Sequence, residues 1–148
     1  IIDEAVEYYI KNKYDYLSNS IETIYPDGLD VEVFTKTALD KSWALANKPS
    51  EREHVTQFLR NHPELFHLAN YQYKKDLSAL RWTVDEPSDF EFAKQVYQHL
   101  YTKKPLFSMQ DVLTLLSQQP HLQELNKNHT RDEGLTKSIA EDKMQGYK

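Results

Sequence analysis

Residues 25–34 have the sequence Tyr-Pro-Asp-Gly-Leu-Asp-Val-Glu-Val-Phe, in which a turn leads directly into a strand. Asp27 and Gly28 are typical turn residues, and Gly28 is free to adopt a positive φ angle. After the turn, apolar and acidic residues alternate with the period of a β-strand. The alternation places Asp30 and Glu32 on one face. These acids either form a solvated polar face or bind a ligand such as a sugar hydroxyl or a hard cation.

Outward from this stretch, helical and strand-like patterns alternate, which indicates an α/β fold with a mixed sheet and flanking helices. We expect Trp43 and Val55 on the buried faces of their helices, and an antiparallel pair formed by the last two strands. The spacing of apolar residues predicts helices at residues 1–13, 35–47, 51–60, 87–100 and 109–117, and strands at 14–18, 29–34, 66–73 and 80–84.

Composition excludes several classes of protein. The 148 residues include no cysteine, which rules out disulfides, thiolate nucleophiles and cysteine-ligated zinc. The net charge of −5 comes without a basic patch, so nucleic acid is not an expected partner. No apolar run approaches the roughly 20 residues that a membrane span needs. We therefore expect a cytoplasmic protein with no membrane partner.

Residues 51–54, Glu-Arg-Glu-His, place four charged or titratable side chains on one helical turn. Such a run is usually a solvated helix start, where acids favour the positive end of the helix dipole. The functional alternative is anion capture by Arg52 together with hydrogen bonding by His54.

Residues 81–89, Arg-Trp-Thr-Val-Asp-Glu-Pro-Ser-Asp, describe a strand that ends on an acid and continues into a helix. Asp85 either holds Mg²⁺ with one carboxylate or caps the helix that follows. Asp89 is expected to serve the first turn of that helix. The sequence leaves both interpretations of Asp85 open.

Together, these stretches resemble the cytidylyltransferase family that includes spore-coat polysaccharide biosynthesis proteins and CMP–acyl-sugar synthetases. The resemblance implies a Rossmann-like nucleotidyltransferase fold that transfers CMP from CTP to a sugar acid with Mg²⁺ and releases pyrophosphate. It also implies a metal-ligand role for Asp85. The matching segments are residues 14–19 (YDYLSN), 25–34 (YPDGLDVEVF), 51–55 (EREHV), 81–89 (RWTVDEPSD) and 126–138.

The same resemblance implies substrate-binding positions for six residues. Those in the turn and strand fall on the acceptor-sugar side, and those in the EREHV segment fall at the edge of the site. The six are Asp27, Asp30, Glu32, Arg52, Glu53 and His54.

One feature of the family is missing from this sequence. The family begins with a glycine- and basic-rich loop that grips the phosphates of CTP, whereas the three glycines here lie far apart. We therefore expect the C-terminal portion of the enzyme, inactive alone, with residues 1–125 belonging to the catalytic domain and 126–148 forming a polar tail. The alternative is a non-catalytic interaction or dimerisation module. A homodimer is among the assemblies that the resemblance allows.

Overall fold

A computed structural model describes residues 1–147 of the chain. These residues form an α/β fold, as predicted, with a small mixed sheet and flanking helices. The strands are β1 (Tyr16–Ser18), β2 (Glu32–Phe34) and β3 (Leu68–Asn70). The helices are α1 (Ile2–Asn12), α2 (Lys36–Leu45), α3 (Pro49–Glu53), α4 (Gln57–Asn61), α5 (Pro87–Leu100), α6 (Met109–Gln118) and α7 (Glu133–Met144), with a 3₁₀ helix at Pro120–Glu124. None of the described helices is long and apolar enough to cross a membrane.

The chain divides into two compact units. Unit 1 comprises residues 1–24, 30–74 and the segment from 132 onward, and unit 2 comprises 25–29 and 75–131. The sheet lies in unit 1, with strand order β2-β1-β3. β1 runs antiparallel to β2 and parallel to β3.

One face of the sheet changes character along β1. Tyr16 lies beside Phe34 of β2 and Leu68 of β3, and directly paired residues project on the same face of a sheet. This apolar row packs into the core of unit 1, which contains side chains from α2 and α4. Two residues further along β1, Ser18 lies between Glu32 and Asn70. We call Glu32, Ser18 and Asn70 the polar row.

Unit 2 is built from α5, α6 and the 3₁₀ helix around a separate core. Phe92 and Val96 of α5 pack there with Val112 and Leu116 of α6. Ser108 caps α6, because its hydroxyl accepts a hydrogen bond from the amide of Asp111.

Two predictions about these elements are wrong. The strands at 66–73 and 80–84 do not form the expected antiparallel pair: β3 pairs parallel with β1, and the second segment contributes only a parallel bridge between Arg81 and Asp27. The helix expected at 51–60 is two short helices, α3 and α4. The chain leaves helical geometry at His54, whose φ and ψ are −99° and 92°.

Trp43 and Val55 are exposed by 70% and 59%, against expectation. The buried face of α2 is formed by Ala38 and Ser42 instead. Trp43 stacks against the guanidinium of Arg52 at 5.2 Å from the ring centroid. Val55 lies in the break that follows α3, where helical spacing no longer determines which side chains point inward.

Candidate functional site

Glu32 of the polar row is fixed by hydrogen bonds from two sides. The hydroxyl of buried Tyr16 donates to Glu32 Oε1 at 2.5 Å, and Thr56 Oγ1 lies 2.9 Å from both carboxylate oxygens. Burial raises the pKa of the Tyr16 hydroxyl well above its usual range, and the bond to Glu32 adds to the rise. Tyr16 therefore remains a donor, and an exposed carboxylate is held in one orientation at the surface of the sheet.

The polar row lies at the carboxyl ends of β1 and β3, the parallel pair of the sheet. Ligands of α/β proteins commonly bind outside the carboxyl ends of parallel strands. Just beyond the end of β1 lies Ser20, whose hydroxyl is 2.9 Å from that of Ser18. Arg60 of α4 donates from Nη2 to the carbonyl of Ser20 at 2.7 Å. Acceptors, hydroxyls and a cation are thus assembled at this edge of unit 1.

Several residues of this edge were not among the sequence candidates. The available signal was Ser18-Asn19-Ser20, three consecutive small polar residues at and just beyond the end of a strand. All three are buried. Buried polar side chains at a strand end need partners. Asn19 finds one through its Oδ1 atom, which accepts from the amide of Val31 at 2.8 Å. No local pattern pointed to Thr56, the N-cap of α4, or to Arg60 within it, because Thr56 reaches Glu32 and Arg60 reaches Ser20 only through tertiary packing.

Asp30 and Glu32 keep the alternation that their spacing predicts. Both are exposed, while the residues on either side of each are partly buried. Asp30 precedes β2 rather than belonging to it. The structure therefore keeps these two acids on the solvent side of unit 1 and gives only Glu32 a position on the strand.

The residues of the EREH run contact neighbouring helices of unit 1. Arg52 donates from Nη1 to the carbonyl of Trp43 at 2.9 Å. The hydroxyl of Ser138 in α7 donates to Glu53 Oε2 at 2.8 Å and lies 3.1 Å from His54 Nε2. Arg52, Glu53 and His54 thus connect α3 to α2 and α7.

In unit 2, Arg81 gathers three of the acids of the sequence candidates. Its side chain is only 10% exposed and forms ion pairs with Asp27 at 3.1 Å, Asp85 at 3.3 Å and Asp89 at 2.9 Å. Hydrogen bonding to Asp89 raises the pKa of Arg81 against the opposing effect of burial. Asp27 also lies 3.8 Å from Arg131 Nε. Asp27 and Asp85, separated by more than fifty residues, are thus joined through one guanidinium.

Asp85 differs from the other two acids in exposure. Its side chain is 66% exposed, and its Oδ2 atom accepts from Arg81 Nη2 and, at 3.1 Å, from Thr83 Oγ1. It does not cap the following helix: the N-cap of α5 is Glu86, and Asp89 provides the reciprocal side-chain bond to the Glu86 amide.

The described residues contain no group of three His, Asp or Glu side chains that could hold a metal ion. The one predicted metal ligand, Asp85, has an exposed carboxylate, which can provide a single donor. That donor suits Mg²⁺, which is commonly held by one or two carboxylates and completes its shell with water and substrate phosphates.

No protein-family model matches the chain. The chain is 32% identical over 131 residues to the uncharacterized protein MJ1063 of Methanocaldococcus jannaschii, covering 86% of this chain and 51% of that protein. It is 32% identical over 110 residues to the spore coat polysaccharide biosynthesis protein SpsF of Bacillus subtilis, covering 72% of this chain and 43% of SpsF.

Among solved structures, the fold is similar to that of a cytidylyltransferase from Leptospira borgpetersenii, with a TM-score of 0.77 and 26% sequence identity. That match covers 86% of this chain and 52% of the other. The fold is thus that of a nucleotidyltransferase, and within that class the chain is cytidylyltransferase-like. It spans about half the length of the curated relatives it matches.

Proposed function

We propose that the chain forms the acceptor-side part of a cytidylyltransferase that transfers CMP from CTP to a sugar acid for surface-polysaccharide biosynthesis. The observation that carries the proposal is the polar row, because a fixed carboxylate and several hydroxyls lie at the carboxyl ends of β1 and β3 in a cytidylyltransferase-like fold. The similarity to SpsF supports the choice of pathway. A cytoplasmic location belongs to the same proposal, because the donor is CTP.

In the proposed reaction, a hydroxyl oxygen of the acceptor attacks the α-phosphorus of CTP. A new P–O bond forms, the bond to the β-phosphate bridging oxygen breaks, pyrophosphate leaves, and the hydroxyl proton is released to solvent. Positioning contributes much of the rate enhancement in such a reaction. Glu32 would orient an acceptor hydroxyl as a hydrogen-bond acceptor, since Tyr16 and Thr56 already hold its carboxylate in place.

Mg²⁺ belongs to the proposal as a cofactor. Asp85 would hold it through its exposed carboxylate, and the bound ion would supply neutralisation of phosphate charge. Arg81 keeps the Asp85 side chain in position through its contact with Oδ2. The same guanidinium binds Asp89 and Asp27, so the orientation of Asp85 depends on a network that is largely buried.

The other predicted binding residues enter the proposal with lesser weight. Asp30 is exposed near Glu32 in sequence and fits an acceptor contact. The remaining four predicted binding residues stay predictions: Asp27, Arg52, Glu53 and His54. Their contacts within each unit also give them a structural role.

The test is pyrophosphate release from CTP in the presence of Mg²⁺ and a panel of sugar acids. The chain fused to the part of SpsF that it does not match is compared with residues 1–148 alone. We expect acceptor-dependent release from the former and none from the latter. Asp85→Asn should lower kcat by at least about tenfold, because even the loss of an outer-shell partner of a metal ligand typically costs about 10- to 100-fold in metal affinity or activity. The matched control Asp40→Asn removes an exposed carboxylate of α2 and should leave kcat unchanged. Absence of release with every acceptor, or full activity of Asp85→Asn, would overturn the proposal.

A second candidate is a non-catalytic module that associates with another copy of the chain. It is favoured by exposed apolar side chains of unit 2, namely Tyr97, Tyr101 and Leu106. Tyr97 of α5 and Tyr101, the residue that follows this helix, have ring centroids 5.9 Å apart. Sedimentation equilibrium separates the candidates when combined with the transfer assay: a dimer that Tyr97→Ser dissociates, with no transfer activity, would favour the module.

A further inference from the structure

We infer that Arg60 is the residue that recognises the negative charge of the acceptor, at the same edge of unit 1 as Glu32. The inference rests on the proposed function and deepens it by assigning the acceptor carboxylate to one side chain. Neither the EREHV segment nor any other sequence motif singled out Arg60.

Arg60 differs from the other arginines of the chain in what surrounds it. Arg81 and Arg131 lie close to aspartates, and Arg52 stacks on Trp43. Arg60 is partly buried, yet within residues 1–147 no carboxylate lies within 4.0 Å of its guanidinium. Within the described residues, the one hydrogen bond of its side chain runs from Nη2 to the carbonyl of Ser20. A partly buried arginine without an anion is uncommon, because charged side chains withdrawn from water are usually paired.

The position of Arg60 is set by two elements. Helix α4 carries Arg60, and the carbonyl of Ser20, just beyond the end of β1, anchors one guanidinium nitrogen. Its charge partly offsets the rise in the pKa of Tyr16, so the guanidinium lies within electrostatic reach of the Tyr16–Glu32 pair. A guanidinium has five N–H donors, and one anchored nitrogen leaves others available to bind a carboxylate in two parallel hydrogen bonds.

Glu32 and Arg60 together specify a ligand with two kinds of group. Glu32 accepts hydrogen bonds from hydroxyls and repels anions, while Arg60 donates to anions. A sugar acid meets both demands when its hydroxyls face Glu32 and its carboxylate faces Arg60. A neutral sugar would leave Arg60 without a partner. Arginine also binds phosphate, so the test includes pyrophosphate as a competing probe.

The experiment is an NMR titration of the ¹⁵N-labelled chain. The probes are N-acetylneuraminate and glucuronate, each with its methyl ester, and pyrophosphate. We expect both acids to shift the amide signals of Ser20 and Thr56, and each ester to bind about tenfold to a hundredfold more weakly, the loss typical of a charge-assisted hydrogen bond. Arg60→Gln should abolish the preference for acid over ester, and Arg60→Lys should retain part of it.

Lys36→Gln is the matched control, because it removes one exposed positive charge from the same unit and should leave the preference intact. The inference is wrong if folded Arg60→Gln still prefers the acid, if no sugar acid shifts the amide signals of Ser20 and Thr56, or if pyrophosphate binds there more tightly than either acid. The transfer assay separates this result from the proposed function. Transfer to sugar acids with an unchanged preference in Arg60→Gln overturns only the role of Arg60. Binding of sugar acids that depends on Arg60, in a protein that shows no transfer, overturns only the proposed transfer activity.

Discussion

Arg81 and Asp89 form a two-point ion pair, with Nε to Oδ1 and Nη2 to Oδ2 both at 2.9 Å. The Asp89 side chain is completely buried. Its Oδ2 atom also accepts from the amides of Asp85 and Glu86, and Asn126 donates to Oδ1 at 2.8 Å. The Asp89 carboxylate therefore accepts hydrogen bonds from the backbone amides at the start of α5 and fixes the segment that contains Asp85.

Replacing Asp89 by asparagine should destabilise the protein strongly. The substitution leaves the largely buried Arg81 without its principal counter-charge, and breaking such a pair typically costs about 3–5 kcal/mol. We expect the free energy of unfolding from urea titration to fall by that amount. The control Asp40→Asn removes an exposed ion pair with Lys36 and should change it by less than about 1 kcal/mol. Equal effects of the two variants would contradict the structural role of Asp89.

The same residue predicts how stability depends on pH. Hydrogen bonding from Arg81 holds the pKa of Asp89 far below its usual range, against the opposing effect of burial. A carboxyl group whose folded pKa is depressed stabilises the fold above its unfolded pKa, about 3.9 for aspartate, and loses that contribution as pH falls toward the folded pKa. Wild-type stability should therefore drop between about pH 5 and pH 2.

Urea titrations at pH 7, 4 and 3 check this dependence. Asp89→Asn should flatten the part of the profile that Asp89 provides. Asp111, whose pKa is also lowered by hydrogen bonding from Lys104, remains in both proteins and cancels in the difference. Parallel profiles for wild type and variant would show that Asp89 does not control the acid response.

Gly28 should tolerate no side chain. Its φ angle is +96°, and an added Cβ atom would lie 2.5 Å from the backbone nitrogen of Thr83. Gly28→Ala should lower the free energy of unfolding by more than about 1 kcal/mol, because strain and a backbone clash combine. Gly134→Ala is the matched control: nothing lies within 4 Å of its added Cβ in α7, and alanine should stabilise the helix by up to about 1 kcal/mol. A harmless Gly28→Ala would refute this close approach.

The sequence predicted features that depend on neighbouring residues. The turn at Gly28, the alternation that exposes Asp30 and Glu32, and the place of Asp89 in the first turn of α5 all arise within a few residues of chain. Each depends on local backbone geometry, which the spacing of residue types along the sequence predicts well.

The features that the sequence did not predict depend on distant partners. The helix expected at 51–60 is divided into α3 and α4 where the chain leaves helical geometry at His54, and Thr56, in the break between them, contacts Glu32 of β2. Arg60 reaches Ser20 across forty residues. The polar row itself requires the register of three strands, and no single strand contains that information.

Helix α7, within the predicted polar tail, should detach locally when Asp142 is lost. Asp142 is buried and accepts from the Ser50 hydroxyl at 2.5 Å and from the Ser50 amide at 3.2 Å. Asp142→Ala leaves two buried donors of Ser50 without a partner, which should cost about 1–3 kcal/mol. Amide hydrogen exchange in Glu133–Met144 should accelerate about tenfold or more, since each 1.4 kcal/mol is a factor of ten. The neighbouring exposed residue provides the control, because Glu141→Ala removes no contact to α3 and should leave exchange unchanged. If both variants accelerate exchange equally, the α3–α7 contact does not depend on Asp142.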